Sequence, residues 1–132
     1  MIQMNDLHSV IICVVSRSTP TKFLMVKHKE RGWEFPGGKI QANEELDAAA
    51  IRELYEETHL SLQMGKYSDI LIPGCRVFLS YCESTTEHIE WNSKDPIIEL
   101  VRWMTVIPDN LAWPREEFEE ILEYFEVEIE GE

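Results

Sequence analysis

The sequence predicts an α+β fold in which a mixed β-sheet is packed between helices. Strand-like and helix-like segments are intermixed along the chain, and one pair of strand-like segments is joined by a short turn, which is typical of a mixed sheet. The chain has 132 residues, of which 44% are hydrophobic and 28% are charged. This length and composition fit one globular domain, which we expect to span residues 1–132.

Six segments have the β-branched and apolar patterns of strands. In chain order they are Ser9–Ser16, Lys22–His28, a short extended piece at Trp33–Phe35, Lys66–Ile72, Arg76–Cys82 and Ile97–Val106. Ser18-Thr19-Pro20 predicts a turn between the first two, and Pro73-Gly74 predicts a hairpin from the fourth and fifth. Pro36-Gly37-Gly38 predicts a chain break after the third.

The segment Glu44–Thr58 predicts the best-defined helix. Asn43 is a suitable N-cap, and the positive end of the helix dipole stabilises the acidic residues of the first turn. The apolar stripe of this helix consists of Ala48, Ile51, Leu54, Tyr55 and Thr58. A second helix is expected at Glu116–Glu126, after Trp113-Pro114.

The formal net charge of −13 argues against a nucleic-acid partner, because a field of this sign repels a phosphate backbone. The apolar runs are too short for a membrane span, and the first residues do not resemble a signal peptide. We therefore expect a cytoplasmic protein without a membrane partner. Cys13, Cys75 and Cys82 match no zinc or disulfide pattern and are expected to be reduced thiols.

Three glutamates converge on the predicted helix. Glu53, Glu56 and Glu57 stand at positions i, i+3 and i+4, so they share one face, opposite the apolar stripe. Ala49 and Ala50 on this side leave room for a ligand. Acidic side chains in the last turn oppose the helix dipole and repel one another, which indicates a functional reason. Such an oxygen-rich site suits Mg²⁺ or Mn²⁺, and a solvated acidic face is the alternative.

The segment Trp33–Lys39 precedes the acidic helix. Two glycines after a proline allow a tight turn and a close approach of the backbone to a ligand. A carbonyl group of this loop can ligate a metal, and Lys39 can reach a phosphate. A simple turn is the alternative.

These segments together resemble the Nudix box, whose pattern is G-x5-E-x7-R-E-U-x-E-E-x-G-U, with U an aliphatic residue. Gly38, Glu44 and the run Arg52–Leu60 match every defined position except the final glycine, which is His59 here. Trp33–Lys39 is similar to the MutT-like branch. The resemblance implies a Nudix-type α/β/α sandwich that hydrolyses a nucleoside diphosphate linked to another group. Histidine can adopt the left-handed conformation that glycine takes at a helix end.

The resemblance also implies individual roles. The implied metal ligands are the carbonyl group of Gly37 and the carboxylates of Glu53, Glu56 and Glu57. Arg52 would orient the glutamates by ion pairing, and Glu44 would support the turn into the helix. The implied cofactor is Mg²⁺, for which Mn²⁺ can substitute.

The identity of the general base stays open at this point. Glu53 is the base in some branches of the family, and a glutamate from a later loop is the base in others. Glu99 is the first later candidate and a further candidate metal ligand, with an outward-facing strand residue as the equal alternative. Glu87 and Glu90 are the remaining candidates.

The residues that would select the substrate lie outside the Nudix box. Phe35 and Phe78 are candidates for stacking on a base, with core packing as the alternative. Glu117, or its neighbour Glu116, could accept hydrogen bonds from a base, because this neighbourhood reads a purine in MutT-like members. The leading substrate is a nucleoside triphosphate cut to the monophosphate and pyrophosphate, and an ADP-sugar or a dinucleoside polyphosphate is the alternative. A non-catalytic Nudix nucleotide sensor is the alternative of another class, and a monomer and a homodimer both remain open.

Overall fold

The structure is a computed structural model that describes residues 6–83 and 88–129. In chain order its elements are β1 (Ser9–Ser16), β2 (Lys22–His28), β3 (Gly32–Glu34), β4 (Gly37–Lys39), α1 (Leu46–Thr58), β5 (Tyr67–Ser68), β6 (Cys75–Cys82), β7 (Glu90–Trp91), β8 (Ile98–Met104) and α2 (Arg115–Tyr124). The strands form one sheet in the order β5-β6-β1-β2-β8-β7, with β3 beside β2 and β4 beside β1. Because β1 and β6 run parallel while β1 and β2 run antiparallel, the predicted mixed sheet is confirmed.

All six predicted strands are present, and two of them are shorter than predicted. The hairpin across Pro73-Gly74 forms, but its first strand is reduced to β5, which pairs Tyr67 with Phe78 and Ser68 with Val77. The chain leaves the ladder after Ser68, whose hydroxyl oxygen accepts a hydrogen bond from the Ile70 amide at 3.2 Å. The last predicted strand shortens to β8, and the short strand β7 was not predicted.

The predicted chain break is present at Phe35 and Pro36, between β3 and β4, but it does not include Gly37 and Gly38. The chain continues as β4, which pairs antiparallel with β1 and places Gly37 opposite Ile11. A Cβ atom at Gly37 would lie 2.2 Å from the carbonyl oxygen of Val10. Glycine is therefore what allows this segment to become a strand, because a side chain would separate the two backbones.

Helix α1 begins two residues later than predicted. Asn43 has φ 62° and therefore cannot serve as the N-cap, which is Glu45 in an extended conformation without a side-chain cap. At the other end, His59 adopts the expected left-handed conformation, with φ 65°, and its amide donates to the Tyr55 carbonyl at 2.9 Å. The His59 ring also packs on the Tyr55 ring, with 4.8 Å between centroids.

The predicted buried face of α1 is wrong in part. Ala48, Ile51 and Tyr55 are exposed, and Tyr55 retains 48% of its accessible surface. The buried residues are Leu46, Ala49, Ala50, Leu54, Glu57 and Thr58. The small alanines allow the helix to lie close to the sheet, so this face packs against the sheet. Glu57 lies on the same face and is therefore buried.

The core consists of two clusters, one on each face of the sheet. Alternating side chains of β1 divide between them, so that Val10 packs with α1 and Ile11 packs with α2. The α2 side includes Phe118, Ile121 and Leu122. This arrangement is the expected α/β/α sandwich. No helix in the described part of the chain is long and apolar enough to cross a membrane.

The three cysteines are free and buried, as expected. Burial raises the pKa of the Cys13 thiol to about 12. This thiol is therefore protonated at neutral pH and unreactive as a nucleophile.

Candidate active site

Arg52 organises the glutamates at the end of α1. Its Nε and Nη2 atoms donate to the two carboxylate oxygens of Glu44 at 2.8 and 2.9 Å. Its Nη1 atom donates to Glu53 at 2.9 Å and to Glu56 at 3.0 Å. A second Nη2 hydrogen bond reaches the Lys39 carbonyl at 3.1 Å. An arginine has five N–H donors, so Arg52 is fully used by the protein and is available for positioning, not for binding a substrate.

Glu44 ties the turn before α1 to this network. The hydrogen bonds from Arg52, and then the one from the Gln41 amide, lower the pKa of Glu44 to about 2. Glu44 is therefore ionised at any physiological pH. This geometry agrees with the supporting role that the resemblance implied for Glu44.

Glu57 is a buried carboxyl group, with only 4% of its surface exposed. Its Oε1 atom accepts a hydrogen bond from the Gly37 amide at 3.1 Å. Burial raises the pKa of Glu57 to about 9, and the charges of Glu53, Glu34 and Asp95 add to the effect. In the absence of a cation this group is therefore protonated at neutral pH.

Gly38 lies against the carboxylate of Glu53. A Cβ atom at position 38 would lie 2.4 Å from the Glu53 Cδ atom. Burial raises the pKa of Glu53, and the hydrogen bond from Arg52 opposes that rise. Gly37 and Gly38 thus bring the backbone of β4 against Glu57 and Glu53, respectively, which explains two adjacent glycines in physical terms.

A loop after β7 brings a further carboxylate to the site, and the sequence analysis missed it. Trp91 and Ser93 donate hydrogen bonds to the last carbonyls of α1, to Thr58 at 3.0 Å and to Glu57 at 2.7 Å. Asp95 follows on this docked loop, and its charge raises the pKa of both Glu53 and Glu57. The sequence around Asp95 is short and polar and has no fixed spacing from the box, so no local pattern indicated that this residue lies near the site.

The three later glutamates named from the sequence have different outcomes. Glu99 is half-exposed and lies 3.8 Å from the ammonium group of Lys27. Glu90 is bound by Arg102 on the neighbouring strand. Glu87 lies outside the described residues. Asp95 therefore lies near the box glutamates, with its Oδ1 atom accepting a hydrogen bond from the Ile97 amide at 3.0 Å, and a role for Glu99 stays a prediction.

We tested whether these residues fit a divalent ion. In the described part of the chain, no three His, Cys, Asp or Glu side chains already stand in a metal-binding arrangement. Arg52 holds Glu53 and Glu56, and the Gly37 amide binds Glu57. The available donors are all oxygen atoms, and the buried carboxyl of Glu57 needs a nearby cation to ionise. This donor chemistry fits Mg²⁺ or Mn²⁺.

A cleft of about 240 Å³ runs beside Gly37 and Gly38. Its other wall residues are Ser9, Val10, Ile11, Arg31, Glu34, Phe35, Ile72, Cys75, Trp113 and Glu117. A larger groove of about 680 Å³ lies between α2 and the chain that follows it, and none of the box residues lines that groove.

The predicted base-stacking phenylalanines are both buried in the core. Phe78 is fully buried on the α1 side, where its ring meets that of Tyr67 at 5.7 Å, so its assignment to substrate binding is wrong. Phe35 borders the cleft, but its ring is enclosed by Phe23, Trp113 and Phe118 and has no free face for a base. Both rings are buried because each packs into one of the two apolar clusters that cover the faces of the sheet.

Of the two polar side chains predicted to bind the substrate, Glu117 lines the cleft and Lys39 does not. Glu117 lies in the first turn of α2 and lines the cleft. Burial raises the pKa of the Cys75 thiol, and the charge of Glu117 raises it further. Lys39 is exposed at the end of β4 and is absent from the lining of the cleft. The cleft contributes Trp113, Arg31 and Glu34 instead, which the sequence analysis did not assign to the site.

Comparisons with known proteins agree with this geometry. The family model described as NUDIX domain matches residues 6–128. A 46-residue stretch is 46% identical to the putative 8-oxo-dGTP diphosphatase YtkD of Bacillus subtilis and covers 35% of this chain and 29% of that protein. A 59-residue stretch is 42% identical to phosphatase NudJ of Escherichia coli K12 and covers 42% of this chain and 37% of that protein. The matched stretches thus span about a third of each curated relative.

Among solved structures, the C. elegans Ap4A hydrolase in a binary complex superposes with a TM-score of 0.68 at 15% identity. It covers 89% of this chain and 95% of its own, and at this identity the likeness shows the fold alone. The family model, in contrast, extends over nearly all of the described residues. The chain therefore belongs to the NUDIX domain family.

Proposed function

We propose that the chain hydrolyses a phosphoanhydride bond of a nucleoside diphosphate linked to another group, with a divalent metal ion as cofactor. The observation that carries this proposal is the burial of Glu57 beside Glu53, Glu34 and Asp95. Acidic groups so placed destabilise one another unless a cation joins them. Glu34 lines the cleft, and the cleft residues Gly37 and Gly38 lie against Glu57 and Glu53, so a catalytic site is the best explanation of this arrangement.

Mg²⁺ is the proposed ion, and Mn²⁺ can substitute for it. The residues that would hold it are Glu53, Glu56, Glu57, the carbonyl group of Gly37 and, from the later loop, Asp95. When bound, such an ion neutralises phosphate oxygens and lowers the pKa of a water molecule.

Glu53 is the proposed general base. Its Oε1 atom is bound by Arg52, which leaves Oε2 to accept the proton of the attacking water. The water oxygen forms a bond to phosphorus, the phosphoanhydride bond breaks, and pyrophosphate leaves. Arg52 fixes the direction of the carboxylate during this step, and its full set of hydrogen bonds makes that direction rigid.

The proposed substrate is a nucleoside triphosphate, which is cut to the monophosphate and pyrophosphate. The similarity to a relative named 8-oxo-dGTP diphosphatase supports this choice, as does the MutT-like segment Trp33–Lys39. The carboxylate of Glu117 in the cleft can accept hydrogen bonds from the N–H groups of a base. An ADP-sugar or a dinucleoside polyphosphate is the alternative substrate.

A panel of substrates tests the proposal. We expect common or oxidised nucleoside triphosphates to give the highest kcat/KM with Mg²⁺, and EDTA to abolish hydrolysis. If ADP-ribose or a diadenosine polyphosphate is preferred by a hundredfold, about 2.7 kcal/mol in transition-state binding, the triphosphate assignment is wrong. Full activity in EDTA would contradict the metal requirement. Nucleotide binding without hydrolysis of any substrate would identify a sensor domain instead of an enzyme.

A further inference from the structure

Arg31 and Glu34 form a two-bond ion pair on the wall of the cleft. The Arg31 Nε and Nη2 atoms donate to the two Glu34 oxygens at 3.2 and 3.1 Å. Glu34 is buried, with 5% of its surface exposed, whereas 57% of the Arg31 side chain is exposed. The acidic end of the pair is therefore anchored in the fold, and its basic end is open to a ligand.

The hydrogen bonds of Arg31 are incomplete, unlike those of Arg52. Of the five N–H donors of an arginine, Glu34 occupies two, and the remaining three have no acceptor within residues 6–83 and 88–129. Arg52 has all five donors occupied. A planar guanidinium that is fixed on one edge and free on the other is well suited to bind a phosphate through two hydrogen bonds.

The position of the pair indicates which part of a ligand Arg31 would meet. Glu57 and Glu34 interact electrostatically with Arg31, which places it near the carboxylates of the box. The same cleft is bordered by Glu117, which accepts hydrogen bonds from the base in the proposed function. A nucleotide with its base near Glu117 and its phosphoanhydride at the carboxylates would place its first phosphate beside Arg31.

The charge of the cleft gives a second reason to place a phosphate beside Arg31. The cleft wall contains the carboxylates Glu34 and Glu117, and Glu57 lies just behind it. A phosphate entering this cleft is repelled unless a cation compensates. Arg31 is the cationic side chain among the described residues that line the cleft.

We propose that Arg31 binds the phosphate next to the nucleoside, and that Glu34 is the positioning residue that aims it. The identity of the ligand as a nucleotide rests on the proposed function.

Binding measured without turnover tests this inference. The probes are deoxyguanosine 5′-monophosphate, which has no phosphoanhydride bond, and deoxyguanosine, both titrated calorimetrically into the full chain in Mg²⁺ buffer. The wild-type protein should bind the monophosphate at least about tenfold more tightly than the nucleoside, as expected for charge-assisted hydrogen bonds. Arg31→Gln should reduce this difference severalfold and leave the affinity for deoxyguanosine unchanged.

Arg17→Gln is the matched control. Arg17 is also half-exposed and has one acidic neighbour, Glu83, at 4.0 Å, but it is absent from the lining of the cleft. This variant should retain the full preference for the monophosphate. The inference is overturned if Arg31→Gln keeps that preference, if it weakens both probes equally, or if the wild-type protein does not distinguish them.

Glu34→Gln tests the positioning role. It keeps the size of the side chain but weakens its hold on Arg31, so the preference for the monophosphate should fall by a smaller factor than in Arg31→Gln. In turnover assays both variants should raise KM more than they lower kcat, since a phosphate contact made in the ground state and the transition state is uniform binding. A Glu34→Gln protein with unchanged KM and unchanged preference would overturn the positioning role.

These outcomes separate the inference from the proposed function. A protein that hydrolyses nothing but loses monophosphate binding with Arg31→Gln supports the inference and contradicts the enzyme. A protein that hydrolyses triphosphates with normal KM in Arg31→Gln supports the enzyme and contradicts the inference.

Discussion

Helices α1 and α2 cover opposite faces of one sheet, but they bury different kinds of side chain. Helix α2 buries Phe118, Ile121 and Leu122, and its glutamates lie at the surface or partly exposed. Helix α1 buries two alanines and Leu54 together with the carboxyl group of Glu57. Both helices lack a side-chain N-cap and have no basic residue in the last turn.

The difference teaches which feature marks the functional helix. Acidic residues alone do not mark the functional helix, because α2 also has Glu116 and Glu117 in its first turn, where the helix dipole stabilises them. Both helices also have glutamates near the C-terminal end, where the dipole opposes them, but those of α2 are exposed, whereas Glu57 of α1 is buried. Helix α2 therefore stabilises the fold, and α1 holds an unfavourable arrangement that a bound cation would relieve.

The largest expected effect is that of Glu57→Gln on catalysis. We expect kcat to fall a hundredfold or more, on the order of the loss of a major electrostatic element in other enzymes. Glutamine is neutral and close in size to the protonated Glu57, and its oxygen can still accept from the Gly37 amide, so the variant should fold at least as stably as the wild-type protein. Steady-state kinetics and denaturant unfolding would be measured together. Near-normal turnover in the folded variant would contradict the metal-ligand role.

The matched control on the other helix is Glu120→Gln. Glu120 is exposed on α2 and should tolerate the change in both measurements. A comparable loss of kcat in this variant would show that net charge, and not the position of Glu57, controls turnover.

Ile121→Ala should show the reverse pattern. Ile121 is fully buried in the α2 cluster, and its truncation is expected to cost about 2–5 kcal/mol of unfolding free energy. The kcat of the folded fraction should stay within about twofold, because the side chain contacts the core and not the cleft. Urea unfolding and active-site-normalised kinetics check this, and a large loss of kcat with little loss of stability would remove the contrast between the helices.

Metal-free protein should lose stability as the pH rises from about 5 towards 9. The pKa of Glu57 is about 9 in the folded state, against 4.5 for the ordinary group. In this window the unfolded chain has released the proton that the folded chain retains, so the unfolding free energy falls by at most about 1.4 kcal/mol per pH unit. Glu57→Gln should flatten the curve measured by denaturant unfolding in EDTA, and parallel curves for the two proteins would count against a buried neutral Glu57.

The smallest expected effect is that of His59→Gly at the C-cap of α1. Glycine adopts φ 65° without strain but loses the ring contact with Tyr55, so stability should change by less than about 1 kcal/mol. The kcat should stay within about twofold. A large fall in kcat at unchanged stability would show a chemical role for the histidine ring.

Much of the fold and part of the site could be predicted from the sequence. The strands β1 and β2 are local patterns, and their predicted bounds match the structure. The resemblance to the Nudix box implied that the glycine segment lies beside the acidic helix end, and the hydrogen bond from the Gly37 amide to Glu57 agrees with this. Trp113, Arg31 and Asp95 could not be assigned, because nothing local in the chain records which loops meet at the cleft.

By itself, the sequence determined the family and the order of most elements, and it indicated the glutamates that we propose for the site, since these depend on short-range spacing. Only the tertiary structure decided which face of α1 is buried. Helical spacing allowed both the Ile51–Tyr55 stripe and the Ala50–Leu54 stripe, and the close approach of small side chains to the sheet selected the second. That choice buries Glu57, and burial is the physical reason that its carboxyl group needs a cation in order to ionise.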